Sequence, residues 1–174
     1  MALKPLRYTI DDTIDFFWGA TAADRGGVAS IVTVGSGEAL DNSNAVVGYP
    51  AALASDAAGD SAGSGLVPLG VLMNDVVSID QTRQHLNQYK DEVQVNSKVT
   101  LMKRGVVNTN MILGTPTAGH KAYLGASGYF TATQTRNEAP IVGRFLSTLD
   151  HNGYAKIHVD LPNMTTPLPL VVAD

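Results

Sequence analysis

Gly59-Asp60-Ser61-Ala62-Gly63 has the Gly-x-Ser-x-Gly spacing of a serine nucleophile, and His85 with an aspartate would complete a hydrolytic triad. A nucleophile elbow needs a strong strand before the serine and a helix after it. Here the serine sits within residues 51–65, almost entirely Ala, Ser, Gly and Asp, so a flexible loop is the better reading. Gly114-Thr115-Pro116-Thr117-Ala118-Gly119 has the glycines of a phosphate loop but lacks the Gly-Lys-Ser/Thr ending that reaches phosphate and magnesium; a turn explains it. His85, His120, His151 and His158 are scattered without the spacing that converges on a metal from one element. Asp150-His151-Asn152-Gly153 opens like a calcium loop, yet the later ligands are missing and Asn-Gly suits a hairpin turn. Asp11, Asp12 and Asp15 are neighbouring carboxylates for which solvation is the default. No catalytic residue, cofactor or metal is expected.

The elements around these residues are β-type. Residues 140–162 show it best: Ile141, Val142, Phe145 and Leu146 lead into the turn at 150–153, and Ala155, Ile157, Val159 and Leu161 then alternate with Lys156, His158 and Asp160. That is a hairpin with one buried face. Upstream, Val99 to Met102 precede a turn expected at Lys103-Arg104-Gly105, Val106 to Leu113 follow, and Tyr123-Leu124 and Tyr129-Phe130 flank Gly125-Ala126-Ser127-Gly128 as a second hairpin. Val28 to Val34, Ala45 to Pro50 and Leu66 to Asp80 supply further strands. Asp80 to Tyr89 is the one expected helix, with a loop or a single helical turn as the alternatives. A short echo links Val67-Pro68-Leu69-Gly70-Val71-Leu72 to Ala139-Pro140-Ile141-Val142-Gly143-Arg144-Phe145-Leu146.

The expected architecture is mainly β: a small barrel or sandwich body over 28–162, as one unit or as lobes 28–80 and 93–162 with a mobile loop at 51–65. Arms at 1–27 and 163–174 flank it. In the first arm Phe16, Phe17 and Trp18 cluster, either capping the local core or, for Trp18 above all, anchoring another subunit. In the second, Leu168, Leu170, Val171 and Val172 lie among prolines and need covering. These seven residues are the candidate interface.

Composition narrows function. With 174 residues and no cysteine, the chain excludes disulfides, thiolate catalysis and thiolate metal sites, which leaves oligomerisation or partners as the source of extra stability. A formal charge of −4 with 12 Lys plus Arg argues against nucleic-acid binding. Apolar runs fall far short of the ~20 residues that span a bilayer, so no membrane association is expected, and no basic-then-apolar leader opens the chain. A soluble, unexported protein follows. Only 16% of residues are charged, which suits a surface partly occupied by contacts.

Leu69-Gly70-Val71-Leu72-Met73-Asn74-Asp75-Val76-Val77, Lys98-Val99-Thr100-Leu101-Met102-Lys103-Arg104-Gly105, Ala122-Tyr123-Leu124-Gly125-Ala126-Ser127-Gly128 and Val142-Gly143-Arg144-Phe145-Leu146-Ser147, with the hairpin after them, resemble a tailed-bacteriophage capsid decoration, or cement, protein of the small-β type. The similarity covers about residues 66–162, and the long N-terminal segment and the 51–65 loop depart from shorter relatives. The resemblance implies a β body on the outer capsid surface of the virion, assembled in the host cytoplasm and bound to the major capsid protein. It also implies a homo-oligomer, a trimer first, whose terminal arms cross onto neighbours. The alternatives are another virion part, such as a head-fibre base or tail protein, and then a trimeric β-fold enzyme, for which residues 70–83 lack a substrate-binding signature.

Far-ultraviolet circular dichroism tests the fold class: a β-dominated spectrum is expected, and a helix content above about one third would contradict it.

Overall fold

Among the described residues there are twelve strands, β1 (Ile10–Trp18), β2 (Val28–Ile31), β3 (Ala45–Gly48), β4 (Pro68–Leu72), β5 (Asp75–Val77), β6 (Glu92–Gln94), β7 (Lys98–Thr109), β8 (Ile112–Leu113), β9 (Lys121–Leu124), β10 (Phe130–Thr131), β11 (Ile141–Phe145) and β12 (Ala155–Asp160), and a short 3-10 turn (Ala126–Gly128). The computed structural model describes residues 3, 10–19, 22–31, 45–50, 67–77, 92–94, 98–134 and 140–161. Among them there is no α-helix, and the protein is mainly β. The loop at 51–65 with its Gly-x-Ser-x-Gly pattern, the segment 80–89 with His85, and Leu168, Leu170, Val171 and Val172 lie outside the described residues.

Ten strands form one mixed sheet in the order β1-β3-β2-β4-β7-β12-β11-β9-β10-β8, while β5 and β6 pair in parallel as a separate ribbon. The sheet is organised by β7, a strand of 12 residues that buries apolar side chains in two clusters, Val99 and Leu101 in one and Met102 and Val107 in the other. Each edge of a strand takes one partner at a time. Arg104 pairs with both Asp12 of β1 and Asp160 of β12, and Met102 pairs with both Thr13 of β1 and Val71 of β4. Therefore β1 runs along one edge of β7, and β4 and β12 follow one another along the other.

Because β1 pairs with β3 as well as with β7, the ladder β1-β3-β2-β4-β7 closes into a ring. All five ring strands feed one core: Trp18, Ala29, Val47, Leu72, Val99 and Leu101, joined by Val76 of β5. The neighbours in sequence, Val28, Val71 and Met102, point the opposite way and enter a second core with Val107, Ala122, Leu124, Phe130, Val142, Phe145, Ala155, Ile157 and Val159. Strand alternation thus sends consecutive residues of β2, β4 and β7 into different cores on opposite faces of one layer. The result is sandwich-like.

Residues 10–18, within the segment 1–27 read as an arm, are a strand that pairs along β7 from Ile10 to Phe17. No turn forms at Lys103-Arg104-Gly105: β7 runs straight through, its two bases reach acids on the flanking strands, and Gly105, at φ 146, faces a register shift between Ile10 and Asp12 of β1. The strands β2, β3 and β4 share one sheet with β7 to β12.

The Pro-apolar-Gly echo falls on β4 and β11, and it has a packing cause. A Cβ on Gly70 would stand 2.8 Å from Leu101 Cβ, and one on Gly143 would stand 2.0 Å from the His158 carbonyl oxygen. Each glycine lets its strand approach the backbone of the next. Gly143→Ala is expected to lower stability by about 1–3 kcal/mol through the forced separation of β11 from β12. Thermal unfolding checks this, and an unchanged melting temperature would contradict the close approach.

Candidate interaction surface

The aromatic cluster resolves into separate environments. Phe16 and Phe17 are half-buried, whereas Trp18 is 2% exposed and sits in the ring core. Its indole meets the Tyr49 ring edge-on, with centroids 5.1 Å apart and planes at 89°. Packed this way, Trp18 caps the local core, the first of the two readings of the cluster. Sequence pattern missed its partner because Tyr49 is 31 positions away on the far side of a glycine-rich segment.

Tyr49 also fastens the segment before β2. Its hydroxyl donates to the Asp24 carbonyl, accepts from the Gly27 N–H at 3.1 Å and lies 3.8 Å from Met111 Sδ. Burial drives its pKa well above the ordinary value of 10.0, against the opposing pull of the Gly27 N–H. The same segment exchanges two hydrogen bonds between Ala23 and Val76, and the Arg25 N–H donates to Asp75 Oδ1 at 2.9 Å. This buried phenol holds structure together.

The carboxylates of β1 are exposed and matched by bases of β7. Lys103 Nζ lies 2.9 Å from Asp12 Oδ2, and Lys98 Nζ lies 3.1 Å from Asp15 Oδ2. Lys98, with help from the Thr100 hydroxyl at 3.0 Å, holds the Asp15 carboxyl below its usual pKa. Arg104 Nε closes on Asp160 Oδ1 at 2.9 Å. Such exposed pairs contribute little to stability, but they leave this stripe close to neutral. Ile10 and Ile14 stand exposed between the acids.

A different arrangement covers the outer face of β9, β11 and β12. Arg144 is directly opposite Lys121 on one side and His158 on the other, and His158 is opposite Val106 of β7. Cross-strand partners share a face, as do residues two apart on one strand, so Lys156 joins the row beside His158. Lys121, Arg144, Lys156 and His158 are all exposed, and none makes an ion pair with another described residue. Leu146, 47% exposed, borders the row where its N–H donates to the Lys156 carbonyl at 2.8 Å. The alternation of Lys156, His158 and Asp160 was visible in the sequence; their register against Lys121 and Arg144 was not.

The remaining motifs are turns. Asp150 Oδ1 accepts the N–H groups of Asn152 and Tyr154, each at 2.9 Å, which closes the hairpin around His151. At the end of the Gly114 to Gly119 run, the Gly119 N–H bonds to the Phe145 carbonyl and the His120 N–H to that of Thr117. Among the described residues no three His, Asp or Glu side chains gather as metal ligands, and no helix is long and apolar enough to cross a membrane.

Residues 13–159 match the family model described as XM1 gp53 minor capsid protein. No curated protein matches the chain.

Trp18→Ala is expected to cost about 3–5 kcal/mol of folding stability, as truncation of a buried indole does, and a melting temperature near wild type would contradict its burial. Tyr49→Phe should cost about 1–3 kcal/mol because the Asp24 carbonyl and Gly27 N–H lose their partner. Since the fold accepts the neutral phenol, its contribution is complete below the unfolded pKa near 10.0 and declines as pH rises above it. Denaturant titrations across that range should therefore show a shallower alkaline loss in Tyr49→Phe than in wild type, and parallel losses would contradict the burial of the phenol.

Proposed function

The chain belongs to the XM1 gp53 minor capsid protein family, a structural family of phage virions, and from that premise we propose that it is a decoration, or cement, protein that binds the outer surface of the capsid and stabilises the shell. The observation that carries this reading is the extent of the match, from within β1 to within β12. It takes in both cores and the full order of the sheet, so the β body itself, and not a terminal appendage, is the part shared with minor capsid proteins. The major capsid protein is the partner.

Charge supports the outer side. A chain with 16 acids against 12 bases is repelled by the densely packed phosphates inside a filled head, whereas the exterior imposes no such penalty. Repetition supports weak individual contacts, since a symmetric oligomer bound to a lattice adds several of them through avidity. A trimer of the 18.3 kDa chain fits a shell with three-fold positions, and the segment 163–174, with Leu168, Leu170, Val171 and Val172, supplies apolar surface for neighbouring subunits.

Purified filled particles test the assignment. The protein should be present at high copy, should react with a membrane-impermeant amine reagent on intact heads, and should raise the temperature at which heads release DNA. Protection from the reagent until the head is opened would place it inside; recovery with isolated tails alone would make it a tail component. Light scattering of the free protein should give three times the chain mass, and a monomer at high concentration and on particles would contradict self-association.

A further inference from the structure

Lys121, Arg144 and His158 stand in direct cross-strand register on one exposed face, with Lys156 next in line and no acid opposing any of the four among the described residues. Like charges set directly opposite one another in a sheet oppose folding. The same chain shows that acids are available for pairing: on the neighbouring β1–β7 stripe Lys98, Lys103 and Arg104 each have a carboxylate within 3.1 Å. The net charge is −4, yet Lys121, Arg144 and Lys156 on this face have no carboxylate partner among the described residues. Building on the shell-binding reading above, we infer that the outer face of β9, β11 and β12 is the docking face for the shell, and that its counterpart there is a carboxylate-rich protein surface.

Charge complementarity selects anions, and the surroundings select protein carboxylates over nucleic-acid phosphates. Leu146 is 47% exposed beside Lys156, and Val106, Ile141 and Tyr123 give the face half-buried and buried apolar ground in register with the cations. Apolar ground ringed by charge is the composition of a protein interface. Asp160, two residues from His158, and Asp12, across Arg104 from it, lie at the end of the same face, where they would repel a continuous phosphate backbone. A shell surface, with discrete carboxylates, can avoid them. Docking through this face also makes binding sensitive to salt, because the cations are exposed before contact.

The experiment reloads shells stripped of the protein with wild type, Arg144→Glu, Lys121→Glu and Lys98→Glu, the last changing net charge equally but on the β1–β7 stripe. Occupancy is measured by quantitative gel at low and high salt, with thermal unfolding of each free protein alongside. Arg144→Glu and Lys121→Glu should each bind about tenfold or more weakly, the wild-type salt dependence should flatten in them, and Lys98→Glu should bind as wild type does. Both face variants should melt at or above the wild-type temperature, because a repulsive neighbour becomes an attractive one. Equal occupancy for Arg144→Glu, Lys121→Glu and wild type would overturn the docking face while leaving shell binding intact. Wild type that fails to load at all would remove the shell-binding reading and this inference with it. Binding of labelled duplex DNA by wild type, lost in Arg144→Glu, would assign the face to nucleic acid instead, and early melting of both face variants would make the row structural.

Discussion

The two edges of β7 are the constraint on which the rest of the molecule depends. On one edge it carries β1; on the other it carries β4 and then β12, so a single strand of 12 residues belongs to the closed ring and to the β12-β11-β9-β10-β8 run of the same sheet at once. A shorter strand would complete one or the other. Continuity through Lys103 to Gly105 is what allows both, since the two register shifts against β1 fall between Met102 and Gly105 while the pairing with β12 runs on without interruption.

That sharing fixes where the cores lie. Leu101 enters the ring core and Met102 the second core, just as Leu72 and Val71 do on β4 and Ala29 and Val28 on β2. Period-two alternation therefore divides the apolar residues between two cores without any linker between them, and a change in one strand of the ring is felt in both. With ladders this non-local, folding is expected to be slow relative to helical domains of similar size, because distant segments must meet before either core is closed.

The hairpin of β11 and β12 was legible in the sequence because both of its signals are local: alternation from Ala155 to Asp160 and turn chemistry at Asp150 to Gly153. So was the hairpin of β9 and β10 around Gly125 to Gly128. The path through Lys103-Arg104-Gly105 was misread because two bases and a glycine have the composition of a turn; only the acids of β1 and β12, about 90 and 56 positions away, show why they sit in a strand. Sequence alone left two readings of Trp18 open for the same reason, its partner Tyr49 being remote. The basic row lay outside sequence reasoning altogether, since three of its members come from three strands and meet through register alone.

The face proposed for attachment lies opposite the core on β9, β11 and β12: Val142, Phe145, Ile157 and Val159 face the core, and Lys121, Arg144, Lys156 and His158 face outward. The most direct measurement of that division is zero-length carbodiimide cross-linking on intact filled heads, read by mass spectrometry. The account predicts amide links from Lys121 and Lys156 to aspartates or glutamates of the major capsid protein. Heads on which the protein links to the shell through Lys98 or Lys103 alone, or on which Lys121 and Lys156 link solely to other virion proteins, would contradict it.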